Sequence, residues 1–178
     1  MNLTPDQLKR IVPTLKTPKL EVICTALNNA MVEAAIVNPV AQAMFVAQIA
    51  HESGGFFYNE EIASGAAYEN RADLGNTQPG DGVRFKGRGW IQITGRANYA
   101  EISKDFKQDF VTNNKLLAAP EWCAKSATWF WNKRKLSLLA APNTLDAFKT
   151  VTKKINGGLN HIIERTALWE KAKIEFGV

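Results

Sequence analysis

Through most of this chain apolar residues recur every three to four positions, the rhythm of helices buried along one face. Thr4, followed by Pro5 and Asp6, places an N-cap residue before a proline at the first helical position and predicts a short helix to about Val12. Residues 19–37 carry Leu20, Ile23, Cys24, Leu27, Met31, Ala34 and Ala35 in a 3.6-residue rhythm that Asn38-Pro39 breaks. Residues 40–51 are apolar almost all round, which marks a central buried helix. From 53 to 84 the text becomes rich in Gly, Asn, Asp and Pro, with a turn cluster at Thr77-Gln78-Pro79-Gly80-Asp81-Gly82. A polar segment of that length inside a compact domain points to function. A short apolar segment bracketed by glycines, 87–95, follows, with Gln92 on a short strand as one reading. Helices resume over 96–106, 120–135 (Trp122, Ala127, Phe130 and Trp131 inward), 144–155 and 160–176. The last has Ile163, Leu168, Ala172 and Phe176 on one face. Its outer face mixes Glu164, Glu170 and Glu175 with Lys171 and Lys173, a core-packing helix rather than one lying on a membrane.

Composition narrows the class without naming it. With 178 residues, 46% hydrophobic and 22% charged, the chain suits one domain or two small lobes sharing a cleft. No apolar run approaches the roughly 20 residues that span a bilayer. The first residues, Met1-Asn2-Leu3-Thr4-Pro5-Asp6, lack a basic stretch leading into an apolar one, so no secretory signal is expected. Cys24 and Cys123 sit in apolar helical contexts and read as buried, reduced thiols. Two histidines and two cysteines without ligand spacing argue for no metal and no cofactor. The net charge of +5 favours a polyanionic partner: nucleic acid, an anionic membrane or an anionic wall polymer. The basic residues are scattered, with Lys133-Arg134-Lys135 the densest run, which speaks against nucleic acid.

The chemistry sits where the apolar helix meets glycine, at His51-Glu52-Ser53-Gly54-Gly55-Phe56. A carboxylate at a helix C-terminus faces the negative end of the macrodipole, which costs several tenths of a kcal/mol and favours the protonated form. That suits a general acid. The following loop offers Glu60, Glu61, Glu69, Asp73 and Asp81. Glycoside hydrolysis needs two carboxyl groups across the scissile bond, about 6.5–9.5 Å apart in inverting enzymes. Two carboxylates at about 8 Å repel by roughly 2 kcal/mol at an effective dielectric near 20, enough to lift one pKa from about 4.3 toward 6. The same loop acids would also serve simply to cap turns.

Three separated motifs then resemble glycoside hydrolase family 19, the family of plant and bacterial chitinases and many phage endolysins. They are His51-Glu52-Ser53-Gly54-Gly55-Phe56; Gly87-Arg88-Gly89-Trp90-Ile91-Gln92-Ile93-Thr94-Gly95-Arg96-Ala97-Asn98-Tyr99; and Ile155-Asn156-Gly157-Gly158-Leu159-Asn160 with Glu164-Arg165 beyond. The resemblance covers roughly residues 42–169, and the Tyr68-Glu69-Asn70-Arg71 and 75–82 segments look most like the phage lysozyme branch. It implies that Glu52 is the general acid, with His51 orienting or tuning it. The general base is Glu69, with Arg71 nearby, or Glu61. Thr94 would hold the attacking water, Gln92, Asn98 and Asn156 would bind sugar, and Arg165 would pair with the catalytic acids. Gly157 and Gly158 would let backbone approach the cleft. Phe56, Phe57, Tyr58 and Trp90 are candidates for stacking on sugar rings, and Arg88 and Tyr99 serve equally as scaffold.

The expectation is therefore a mainly α, lysozyme-like two-lobed helical domain with a central cleft and little or no β structure, a single catalytic domain over 1–178. The resemblance implies an inverting, cofactor-free hydrolase of the peptidoglycan β-1,4 bond between N-acetylmuramic acid and N-acetylglucosamine. Such a phage-type endolysin would be a monomer without stable membrane insertion, waiting in the host cytoplasm until a holin opens the way to the periplasmic wall. Competing readings are a chitinase acting on N-acetylglucosamine polymers and a non-catalytic wall-binding module. A membrane-permeabilising C-terminal helix is the weakest.

Overall fold

Proline and side-chain caps set where the helices of this chain begin. In the computed structural model, which describes residues 2–178, Thr4 accepts from the Gln7 amide while the Gln7 side chain accepts from the Thr4 amide, a reciprocal cap on α1 (Pro5–Ile11). Helix α2 (Thr17–Glu33) carries proline in its first turn. It stops earlier than its apolar rhythm suggests, because Ala35 takes a left-handed φ of 55° and the Ile36 amide closes back onto Met31. That closure tucks Ile36 into the core. Asn38 then caps α3 (Pro39–Glu52), accepting from Val40 at 2.8 Å.

The others are α4 (Asp81–Arg84), α5 (Arg96–Phe106), α6 (Pro120–Lys133), α7 (Leu136–Ala140), α8 (Leu145–Asn156) and α9 (Ile162–Phe176). No strand forms among the described residues. Two isolated β-bridges, Glu60 to Arg88 and Arg88 to Ile93, are the only extended pairing there. Two details differ from the sequence pattern. The helix expected over 120–135 ends at Lys133, since left-handed Lys135 turns the chain into α7. Ile163, expected inward on the last helix, is 81% exposed; the buried side of α9 is instead Arg165, Trp169, Ala172 and Phe176. Ile163 falls about 200° around the helix from buried Arg165, on the face turned to solvent.

Helix α3 is the axis, buried continuously from Ala41 to Ala50. It packs along α9 and against α7, with α1 on α9 and α2 on α6. Phe45 meets Trp131 edge-on at 5.4 Å, and Phe148 stacks on Trp169 at 4.6 Å. Each such ring contributes about 1.5–3 kcal/mol by leaving water. A second, smaller cluster of Phe85, Ile93, Tyr99, Ile102, Phe110 and Leu117 lies between the loop and α5, with Trp122 and Trp129 at its edge. These two cores are the two lobes. Ile91 packs against both. Among the described residues no helix is long and apolar enough to cross a membrane.

The polar segment 53–84 is held by carboxylates that spend their oxygens on backbone. Buried Asp81 accepts from the amides of Thr77 and Gln78 and is paired with Arg96 at 2.5 and 2.8 Å. The Arg96 hydrogen bonds hold its pKa below the ordinary 3.8. An unfolded chain therefore takes up this proton first as pH falls, so the stabilisation is present above about pH 4 and lost below it. The thermal midpoint of the parent should fall steeply below pH 4, and Asp81→Asn should flatten that fall; parallel slopes would show that Asp81 is not its source.

Candidate active site

Glu52 is the last residue of α3, and its neighbours are fixed by the helix period. One turn earlier on the same face stands Gln48, fully buried in an otherwise apolar run. Arg165, 3% exposed on α9, joins the two. Its Nη2 donates to Glu52 Oε1 at 2.6 Å, its Nη1 to Gln48 Oε1 at 2.7 Å and its Nε to the Asn160 carbonyl at 3.1 Å. Gln48 Nε2 in turn donates to the Thr152 hydroxyl at 2.6 Å, which donates to the Phe148 carbonyl. Glu52 is thus held through one oxygen, and Oε2 accepts nothing from the described residues.

His51 sits beside this pair, its ring 5.5 Å from that of His161, which the loop after α8 presents in a left-handed conformation. Burial, then the nearby Arg165 charge, pulls the His51 pKa below 6.5, so the ring is neutral at pH 7. Asn156 ends α8 and shapes that loop: its Oδ1 accepts from Gly158 at 2.8 Å and its Nδ2 reaches the Asn160 carbonyl at 3.4 Å. Gly157 adopts a φ of 78°, and a Cβ there would meet nothing within 4 Å, so it serves the turn rather than a close approach to its own chain.

The second group forms on the bridge segments. Glu60 faces Lys86 at 3.0 Å and buried Arg88 at 3.1 Å. Partial burial works to raise the Glu60 pKa, but the Lys86 hydrogen bond and the Arg88 charge hold it below the usual carboxylate range. Arg88 also donates to the Tyr99 hydroxyl, whose pKa burial pushes up to about 12. With Glu60 anchored, Glu61 accepts from the Tyr68 hydroxyl at 3.0 Å and from the Gly87 amide at 3.1 Å. Gln92 crowds the same spot. A Cβ on Gly87 would lie 2.6 Å from Gln92 Oε1 and 3.3 Å from Glu61 Oε2, so a side chain there would push the Gln92 amide aside. Gln92 is a left-handed turn residue rather than part of a strand, and its Nε2 donates to the Gly89 carbonyl. Thr94 donates to the Gln92 carbonyl at 2.9 Å, and Asn98 to the Thr94 carbonyl at 2.7 Å. Thr94 and Asn98 open onto a recess of about 430 Å³ shared with Trp129, Phe130 and Arg134.

The structure therefore gathers Glu52, His51, Asn156 and Arg165 in one group, and Glu61, Gln92, Thr94 and Asn98 in a second. Glu69 stands apart. Its Oε1 accepts from the Gly80 amide and its Oε2 from the Gly82 amide, both at 2.7 Å, while Arg71 pairs with Asp73. Of the aromatic candidates, Phe56 and Trp90 are buried against each other, and only Phe57 and Tyr58 face solvent. Sequence reasoning passed over Gln48, Thr152 and His161. A glutamine one turn before Glu52 in a largely apolar helix was the available signal for the first.

Comparison with known proteins bears on this arrangement. The family model described as chitinase class I, glycoside hydrolase family 19, matches residues 41–167. A glycosyl hydrolase family 19 domain-containing protein of Haemophilus influenzae is 33% identical over 179 residues, 81% of this chain and 84% of that protein. An endochitinase of Arabidopsis thaliana is 37% identical over 117 residues, 65% of this chain but 39% of its own length. The chain thus matches about two fifths of that plant protein. Chitinase C from Streptomyces griseus has the same fold, with a TM-score of 0.79 at 19% identity over 99% of this chain and 77% of that one. A bacterial family 19 chitinase aligns with a TM-score of 0.74 at 20% identity, covering 100% and 96%.

Proposed function

Because the chain belongs to glycoside hydrolase family 19 and is a glycosidase, we propose that it cuts peptidoglycan between N-acetylmuramic acid and N-acetylglucosamine, as a phage-type endolysin acting on the periplasmic wall. The observation that carries the chemistry is Glu52, one oxygen pinned by Arg165 and the other open. Glu52 delivers its proton to the leaving glycosidic oxygen from that open side. Glu61 takes the proton of a water whose other hydrogen is accepted by the Thr94 hydroxyl, itself oriented by donating to Gln92. The water attacks the face opposite the leaving group, so the anomeric configuration inverts. Gln92 and Asn98 keep their amide oxygens for sugar donors, while neutral His51 leaves Arg165 as the charge facing Glu52.

The net charge of +5 favours an anionic, peptide-bearing wall over a neutral chitin chain, because long-range steering needs charge on both partners. Likeness to proteins named endochitinases supports the second reading, polymers of N-acetylglucosamine. Digesting Gram-negative peptidoglycan, reducing the products with borohydride and identifying the new ends by mass spectrometry separates them. Reduced muramic acid ends are expected. Reduced glucosamine ends, or cleavage of chitin alone, would replace the muramidase reading. A Glu52→Gln variant that lysed walls as well as the parent would remove Glu52 from the chemistry.

A further inference from the structure

The end of α3 does something unusual after Glu52. Gly54, Gly55 and Phe56 take left-handed φ values of 60°, 72° and 64° in succession. A β-carbon is tolerated there only at Phe56, whose ring is repaid by burial on Trp90 at 4.9 Å. This turn throws the next two rings outward. Phe57 is 66% exposed and Tyr58 42% exposed, and they meet edge-on at 4.9 Å. Tyr58 lies across Gly54, where a Cβ would stand 2.8 Å from its ring. The connection from α1 to α2 is docked on the same turn, since a Cβ on Gly55 would stand 3.2 Å from both Thr14 Oγ1 and Val12 Cγ1. Lys9 fixes that connection by donating to the carbonyls of Pro13 and Leu15.

Between connection and turn lies a recess of about 290 Å³ lined by Leu15, Lys16, Pro18, Lys19 and Phe57 over the two glycines. Lys19 rests over the Phe57 ring at 5.3 Å. Lys16 and Lys19, like most of the lysines, have no acidic partner among the described residues, where only Lys86, Lys125, Lys133, Lys149 and Lys173 do. Two unpaired ammonium groups thus flank exposed aromatic surface on this frame. The frame is close to the chemistry: Gly54 follows Glu52 by two residues, so their Cα atoms are at most about 7.6 Å apart. At about 290 Å³ the recess falls just below the roughly 300–1,000 Å³ of ligand sites, so it takes part of a branch and not a glycan strand.

We propose that this recess binds the carboxylate-bearing peptide stem of the strand being cut, with Lys16 and Lys19 receiving the carboxylate and Phe57 and Tyr58 the apolar side of the stem. The inference rests on the peptidoglycan reading above. Chitin has no carboxylate to offer these lysines; a wall strand carries several beside each muramic acid. The subsite makes the stem a positive specificity element instead of a branch merely tolerated.

The test compares parent and a Lys16→Ala/Lys19→Ala variant on peptide-bearing peptidoglycan and on the same strands stripped of peptide by an amidase. Both lysines are exposed and Lys16 makes no side-chain cap on α2, so the variant should fold, which its thermal midpoint verifies. The parent should show a KM about tenfold lower on peptide-bearing strands, and the variant should lose most of that preference with kcat and stripped-strand activity unchanged. Phe57→Ala should lose part of it, and the parent's preference should shrink with added salt. A parent indifferent to the peptide, or a variant impaired equally on both substrates, would overturn the subsite while leaving muramidase activity standing. A parent that cuts chitin and neither wall preparation would overturn the peptidoglycan reading itself, and the subsite with it.

Discussion

Glu61→Gln should lower kcat by about 10²–10⁴ while leaving the thermal midpoint nearly unchanged, and Glu69→Gln should do the reverse. The difference follows from what each carboxylate accepts. Glu61 receives a phenol hydroxyl and one amide. A glutamine there points its oxygen at the Gly87 amide and its NH₂ at Tyr68, whose hydroxyl accepts as readily as it donates. No contact is lost, only the ability to take a proton. Glu69 receives two backbone amides, one on each oxygen. Whichever way a glutamine is turned, its NH₂ meets an N–H of Gly80 or Gly82 head-on. One amide loses its acceptor, at a cost of about 1–3 kcal/mol. At about 2–4 °C per kcal/mol for a chain of this size, the midpoint drops by roughly 2–12 °C. Activity per folded molecule of Glu69→Gln should stay within about tenfold of the parent, since misplacement of a supporting loop is its only route to the chemistry. Circular dichroism melts and single-substrate kinetics on both variants decide it. A silent Glu61→Gln, or a folded but inert Glu69→Gln, would exchange the two roles.

The helical frame was legible because its signals are local. The buried helix before Glu52 declares itself by having no polar face, and Thr4 marks a start through a cap that reads directly from sequence, whereas the caps of Asn38 and Thr144 emerge in the structure. The stops were harder. Ala35 and Lys135 turn left-handed without being glycine, because the tertiary packing of Ile36 and Leu136 outweighs the local cost, and no periodicity contains that information. The site was legible in the same uneven way. Residue types at the ends of the three motifs pointed to Glu52, Arg165 and the loop acids. Which loop acid is held by two turn amides and which stands beside Gln92 depends on hydrogen bonds to Gly80, Gly82 and Gly87, backbone partners that a list of side chains does not display. Gln48, one of two buried glutamines in α3, was visible in the sequence but has no meaning until α9 brings Arg165 across the chain to meet it.

Arg165→Met should lower both activity and stability, and the way the two losses couple to Glu52 tests whether the arginine acts through that residue. The guanidinium is nearly sealed from water and fills three acceptors in fixed directions. Methionine restores part of its volume and none of its bonds. Gln48 Oε1 is then left buried without a donor, worth about 1–3 kcal/mol, and the Asn160 carbonyl loses a contact. The Glu52 carboxylate, 24% exposed, loses its one tether but recovers some hydration, so the total stays near 2–4 kcal/mol rather than the larger cost of orphaning a fully buried charge. The midpoint should fall roughly 4–16 °C. Glu52, no longer pinned, wanders from the position at which its open oxygen meets the leaving group, and a displacement of about 1 Å there costs on the order of 10² in rate. Lysine at 165 keeps the charge but reaches one acceptor of the three, so it should recover little of either loss. The decisive quantity is the cycle with Glu52→Gln. That single variant leaves the arginine charge without its counter-ion, and adding Arg165→Met removes the stranded charge as well. The two destabilisations should therefore fall short of adding by about 1–3 kcal/mol, and the double variant should be no slower than Glu52→Gln alone. Additive stabilities with multiplicative rate losses would mean that Arg165 serves the fold and the reaction through something other than Glu52.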